Sequence, residues 1–182
     1  MNFRSPLFIC STACITCVAA TSITANADLV GSYSLGSGDQ EATIQFDFDN
    51  GNTHLYTIQW DNLMTGRAVF DLILSEQSDL FTFDYIAYSF GDFITGVTIG
   101  DDQNLGDGSA APDYSNYWHY WTADVGENFA SSQIGAGDRT LLDGSSDAWV
   151  FGSSNAPATI PAPATLALMG MTFFTRRRRA NH

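Results

Sequence analysis

The chain has 182 residues, a formal net charge of −13 and no lysine, and all twenty of its acidic residues lie at or beyond Asp28. Between Asp28 and Ile160 the only lysine or arginine side chains are Arg67 and Arg139. Such a body repels nucleic-acid phosphates and anionic lipid headgroups, which excludes nucleic acid as a partner, while it attracts cations and favours solubility. Plain solvation or adaptation to salt accounts for the same charge.

The first 27 residues differ in character from the acidic body. Arg4 precedes an apolar run from Leu7 to Ala20, and Ala25-Asn26-Ala27 supplies a small-x-small site. This is the pattern of a secretory signal peptide, cut by signal peptidase after Ala27 to leave Asp28 first. A buried N-terminal helix is the alternative, but Ser11, Thr12, Thr16 and Thr21 dilute it, and the run is too short to span a bilayer. Cys10, Cys14 and Cys17 all fall inside this segment. The CxxC spacing of Cys14 and Cys17 therefore belongs to a piece destined for removal, and the mature body holds itself together without disulfides.

Residues 28–152 have the size of one domain. Ile44, Phe46 and Phe48 alternate with Gln45, Asp47 and Asp49, the pattern of a half-buried strand over 43–49. Asn50-Gly51 is a hairpin signal, and residues 55–60 form the returning strand. Thr65 is placed to cap a helix over 66–77, whose apolar face is Val69, Phe70, Ile73 and Leu74. A strand over 81–90 changes apolar phase after Tyr85, which predicts a bulge, and another strand covers 93–99. An Asp- and Gly-rich loop occupies 100–113, followed by the aromatic run Tyr117–Trp121, a Gly-rich stretch around Gly135-Ala136-Gly137 and a closing strand over 148–151. The order predicts an α+β domain, one helix packed on a mixed β-sheet in a β-grasp-like arrangement.

Tyr117, Trp118, Tyr120, Gly135, Ala136, Asp143, Gly144 and Trp149, in this order behind a helix and two strands, make residues 43–152 resemble the transcobalamin C-terminal-like domain. Ala123-Asp124 stands where that family has Asn-Gly. The resemblance implies a β-grasp-like module of exported bacterial proteins and a corrinoid or other small-ligand role.

The aromatic run is the main candidate site. On a strand Tyr117, His119 and Trp121 face one side and Trp118 and Tyr120 the other. With Trp149 these six residues are candidate ligand contacts, one face filling the core and the second, if open, stacking on a sugar ring or planar ligand. A sheet covered on both sides is the alternative. Asp101, Asp102, Asn104 and Asp107, with Asp113, offer hard oxygens to Ca²⁺, although the spacing fits no EF-hand and turn chemistry explains such a run equally well. No other cofactor is expected. His54 and His119 are the only histidines of the body, and no HExxH, nucleophile elbow, phosphate loop or dinucleotide fingerprint occurs. Arg139 is expected to pair with Asp138, Asp143 or Asp147, with anion binding as the other reading.

The C-terminus has three parts. Pro157, Pro161 and Pro163 define a stiff linker over 153–163, residues 164–175 are apolar, and Arg176, Arg177, Arg178 and Arg179 form a basic block that stays on the cytoplasmic side. Twelve helical residues reach about 18 Å against a hydrocarbon core of roughly 30 Å, so the tail suits a transient stop better than a permanent span. Pro161-Ala162-Pro163, the apolar run and the arginine block resemble the PEP-CTERM sorting signal in its PAP variant, with Ala162 where Glu is usual. That resemblance implies export in a Gram-negative-type bacterium, processing by an exosortase-type enzyme, and delivery to the cell surface or extracellular polysaccharide matrix, with only transient membrane contact. An ordinary C-terminal membrane anchor is the alternative. The expectation is an exported, non-enzymatic surface or matrix protein with weak glycan or small-ligand binding; a corrinoid-type module and a secreted hydrolase are the competing readings.

Overall fold

In the computed structural model, residues 28–89, 91–107, 115–158 and 160 are described. The proposed signal cleavage residues Ala25 and Ala27, and Pro161, Ala162, Pro163 and Arg176–Arg179 of the sorting signal, lie outside them.

The Asn50-Gly51 signal makes its hairpin. Strand β2 (Gln40–Asp47) turns into the antiparallel β3 (Asn52–Trp60), closed by Phe48 N–H donating to Asn52 O at 2.9 Å. Both strands run longer than their apolar alternation indicates. Before them lies a further strand, β1 (Asp28–Gly36), which pairs in parallel with β3. Its alternation is short, Tyr33 and Leu35 against Ser32 and Ser34, and of its residues only Leu35 is buried.

Helix α1 (Gly66–Glu76) begins as expected, the Thr65 hydroxyl accepting from Ala68 N–H at 3.1 Å. It buries Val69, Phe70 and Ile73. Strands β4 (Phe81–Tyr88), β5 (Gly91–Ile99) and β6 (Asp102–Leu105) form an antiparallel three-stranded sheet. A register shift falls at Asp84/Tyr85, near the predicted bulge, but the partner jumps from Gly96 to Ile94, so the extra residue is Thr95 on β5.

The larger sheet is completed by β7 (Trp118–Ala123), β8 (Ala130–Ser131) and β9 (Ser146–Phe151), in the order β1-β3-β2-β9-β7-β8. Its central pair, β2 and β9, is parallel, and all other pairs except β1–β3 are antiparallel. Among the described residues the architecture is therefore α+β with one helix, as expected, but with two sheets where the sequence predicts one. The second sheet uses residues 102–105, which the Asp and Gly content had assigned to a loop.

Register explains the core. Phe46, Trp149 and Tyr120 are successive cross-strand neighbours on one face, and Trp149 stacks on Phe46 at 5.7 Å and on Tyr120 at 4.4 Å. Phe70 meets Trp149 edge-on at 4.8 Å, joining α1 to the sheet. The opposite face of β2 does not meet water as its polar residues suggest. Gln45 and Asp47 are only 4% and 7% exposed. The chain leaves β9 through Gly152, at a positive φ of 68° that suits glycine, and returns over this face to Ala158, whose N–H donates to Asp47 Oδ2 at 2.8 Å.

Candidate functional site

Strand β7 carries the expected alternation. Trp118 is 3% exposed and packs edge-on against Phe48 at 5.2 Å and Phe151 at 5.3 Å, and its indole N–H donates to Asn104 O at 3.3 Å. Tyr117 stacks on His119 at 4.2 Å, and Phe93 of β5 lies 5.6 Å from Tyr117. β8 pairs with β7 only at Trp121 and Thr122. Beyond that pairing, along residues 117–120, a partly open groove of about 230 Å³ runs between β7, the Asp92–Ile94 stretch of β5 and residues Ser131–Ala136.

Of the six candidate contacts, Tyr117, Trp118, His119, Tyr120 and Trp149 line this groove and Trp121 does not. Trp121 lies in the row Gln45–Ala148–Trp121 on the polar face, its buried indole N–H without a partner among the described residues. Trp118 and Trp149 are core residues, 3% and 2% exposed, because Trp149 packs on Phe70 of α1 and Trp118 on Phe48 and Phe151. Of the stacking platform expected from sequence, the half-buried Tyr117–His119 pair is the part that lies outside the core. Phe93, Ser131 and Ser132 also line the groove and were not anticipated; the serines sit in a stretch with no periodic signal.

Both arginines of the body are held by carboxylates. Arg67 donates from Nε to Asp92 at 2.9 Å, pairs with Asp71 at 2.8 Å, and lies over the rings of Phe83 and Tyr85 at 4.8 and 4.7 Å. Arg139 reaches Asp124 at 2.8 Å and Asp147 at 3.3 Å. Asp147 is the one of three expected partners that it meets; Asp124 was not foreseen. Asp147 is fully buried and also accepts the Tyr120 hydroxyl. Burial pushes Asp147 above the ordinary carboxylate range, against the opposing donors Tyr120 and Arg139. Burial, and then the Asp147 charge, push the Tyr120 phenol up as well, so the proton stays on oxygen Oη. A side chain at Gly66 would meet Tyr120 Oη at 2.7 Å, so the helix enters here only as glycine.

The acidic candidates are dispersed. Asp102 and Asn104 sit on β6 and bind the β2–β3 hairpin. Asp102 accepts from His54 Nε2 at 2.8 Å, Asn50 at 2.7 Å and Asn52 at 2.8 Å, and Asn104 Oδ1 accepts Asp49 N–H at 3.1 Å. Burial would raise the Asp102 carboxyl, but these donors and the nearby His54 hold it below its ordinary value. Asp101 and Asp107 are exposed. Among the described residues no three His, Cys, Asp or Glu side chains converge as a metal-binding group, and no helix is long and apolar enough to cross a membrane.

No family model and no curated protein matches the chain. Among solved structures it is similar to a crystal structure from Ruminococcus gnavus described as a "putative metal binding protein", with 16% sequence identity and a TM-score of 0.43, over 64% of this chain and 100% of that one.

Proposed function

We propose that the protein is an exported, non-enzymatic surface or matrix component whose body binds a single neutral ring, such as a sugar, in the groove beside β7. The observation that carries the binding reading is the groove itself, lined by an aromatic stack, Tyr117 on His119, together with Ser131 and Ser132. Stacking faces and hydrogen-bonding edges together are what a pyranose offers. Charge supports a neutral ligand, because both body arginines are already paired. Size favours one ring over a corrinoid, since about 230 Å³ is below the roughly 300–1,000 Å³ of ordinary small-molecule sites.

Export and sorting rest on the two flanking segments: the Arg4–Ala27 signal pattern and the Pro161–Arg179 tail. Signal peptidase and an exosortase-type enzyme are the partners this implies, and extracellular polysaccharide supplies the sugar. The strand order β3-β2-β9-β7-β8 around a parallel centre, with α1 following β3, supports a β-grasp-like body with β1 added outside β3. A Ca²⁺ role for Asp101, Asp102, Asn104 and Asp107 gains no support from their separate engagements.

Titration of the purified chain with neutral mono- and oligosaccharides tests the binding reading, because Trp118 and Trp149 edge the groove and report by fluorescence. Saturable change, weakened at least about tenfold in Tyr117→Ala, is expected. No change at millimolar sugar, or saturation by cobalamin alone, contradicts it.

A further inference from the structure

The polar face of the large sheet holds a device that the aromatic groove does not use. Gln45, Asp47 and Thr53 are 4%, 7% and 1% exposed, although their alternation with Ile44 and Phe46 points them away from the core. Asp47 Oδ1 accepts the Thr53 hydroxyl at 2.7 Å and the Gln45 amide at 2.8 Å. Its Oδ2 accepts the backbone N–H of Ala158 at 2.8 Å, and the Gln45 amide donates to the backbone oxygen of the same residue at 2.9 Å. One carboxylate and one amide thus capture both main-chain groups of a single residue, as a neighbouring strand would.

We propose that Gln45, Asp47 and Thr53 form a peptide-backbone docking site whose occupant is the chain's own Gly152–Ala158 segment, and that this latch fixes where the C-terminal linker leaves the body. Three observations point the same way. The contacts are to backbone, so the site selects an extended peptide and not a side chain. Pro157 sets its own φ, which lowers the conformational entropy lost on docking. The segment carries no charge, so it approaches an acidic body without repulsion. The Asp47 carboxylate is buried by the segment it holds; with the latch open, the alternation of β2 returns it to water. This inference depends on the folded body alone and not on the fate of the tail.

Hydrogen exchange on the full-length chain in detergent, read by mass spectrometry over residues 153–160, tests it. The wild-type amides are expected to be protected, and Asp47→Ala is expected to speed their exchange at least about tenfold and by more than it speeds β9 and β3. Ala158→Pro removes the captured N–H, with its ring constraint confined to the segment, and leaves every residue of the sheet unchanged, so it should give the same local acceleration. Unprotected exchange of this segment in the wild type overturns the proposal. So does an Ala158→Pro chain that exchanges like wild type, or an Asp47→Ala effect spread equally through the core with no local effect in Ala158→Pro.

Discussion

The two faces of β2 are both dry, and they are kept dry by opposite chemistry. On one, Phe46 meets Phe70 of α1 and the rings of Trp118 and Trp149, Phe48 meets Trp118, and Ile44 is buried on the same face. Burial there needs only volume and shape. On the other, Gln45 and Asp47 are buried beneath a returning segment, and each polar atom needs a partner at hydrogen-bond distance. Alternation in sequence therefore tells which residues share a face, and not whether that face meets water.

The comparison breaks most visibly at its aromatic side. Phe46 contacts Tyr56, Phe70, Phe81, Trp118 and Trp149, so Phe46→Ala should cost about 3–5 kcal/mol in denaturant unfolding. A cost under about 1 kcal/mol would mean that the core is not organised around this ring. On the polar side Asp47→Ala removes an acceptor for three donors at the end of the central strand β2, and about 1–3 kcal/mol is expected from the same measurement. A loss as large as that of Phe46→Ala would erase the distinction between the faces.

Two hydrogen-bonded carboxylates, Asp102 partly buried and Asp147 fully so, sharpen the contrast further. Carboxyl-carbon NMR should find Asp102 titrating below its ordinary range, where donors outweigh burial, and Asp147 above it, where burial wins. For Asp102 the lowered folded value means that its stabilisation is present above the ordinary carboxylate range and is lost as pH falls through that lower value. For Asp147 the raised value has the opposite sign: its contribution is fully present below the ordinary range and is lost as pH rises through the folded value. A common midpoint for both would contradict the geometry. The smallest effect expected is at the helix start, where Thr65→Ala removes one cap bond and should cost about 1 kcal/mol in the same denaturant unfolding.

The parts of the fold written in apolar periodicity were legible. The Phe46 strand and the helix with its Thr65 cap follow from spacing that a single element imposes on itself, whereas the bulge expected near Tyr85 belongs to the partner strand, at Thr95. What could not be read depends on distant partners. β1 carries only a short alternation, Tyr33 and Leu35 against Ser32 and Ser34, and is held by the parallel edge that β3 offers. Residues 102–105 look like turn chemistry until His54 and the Asn50–Asn52 hairpin supply donors for Asp102. The groove was half legible: the aromatic run signals itself, whereas Ser131 and Ser132 reach it only through the short β7–β8 pairing. The Asp47 latch was invisible, since its polar residues are also what an exposed strand face would carry.

The intact mass of the protein recovered from the producing cells and from their medium tests the proposed exported role most directly, because one spectrum reports both ends. A mature species beginning at Asp28 and lacking Arg176–Arg179 is the predicted result. A single full-length species, retained inside the cell with Met1 and the arginine block in place, would contradict it.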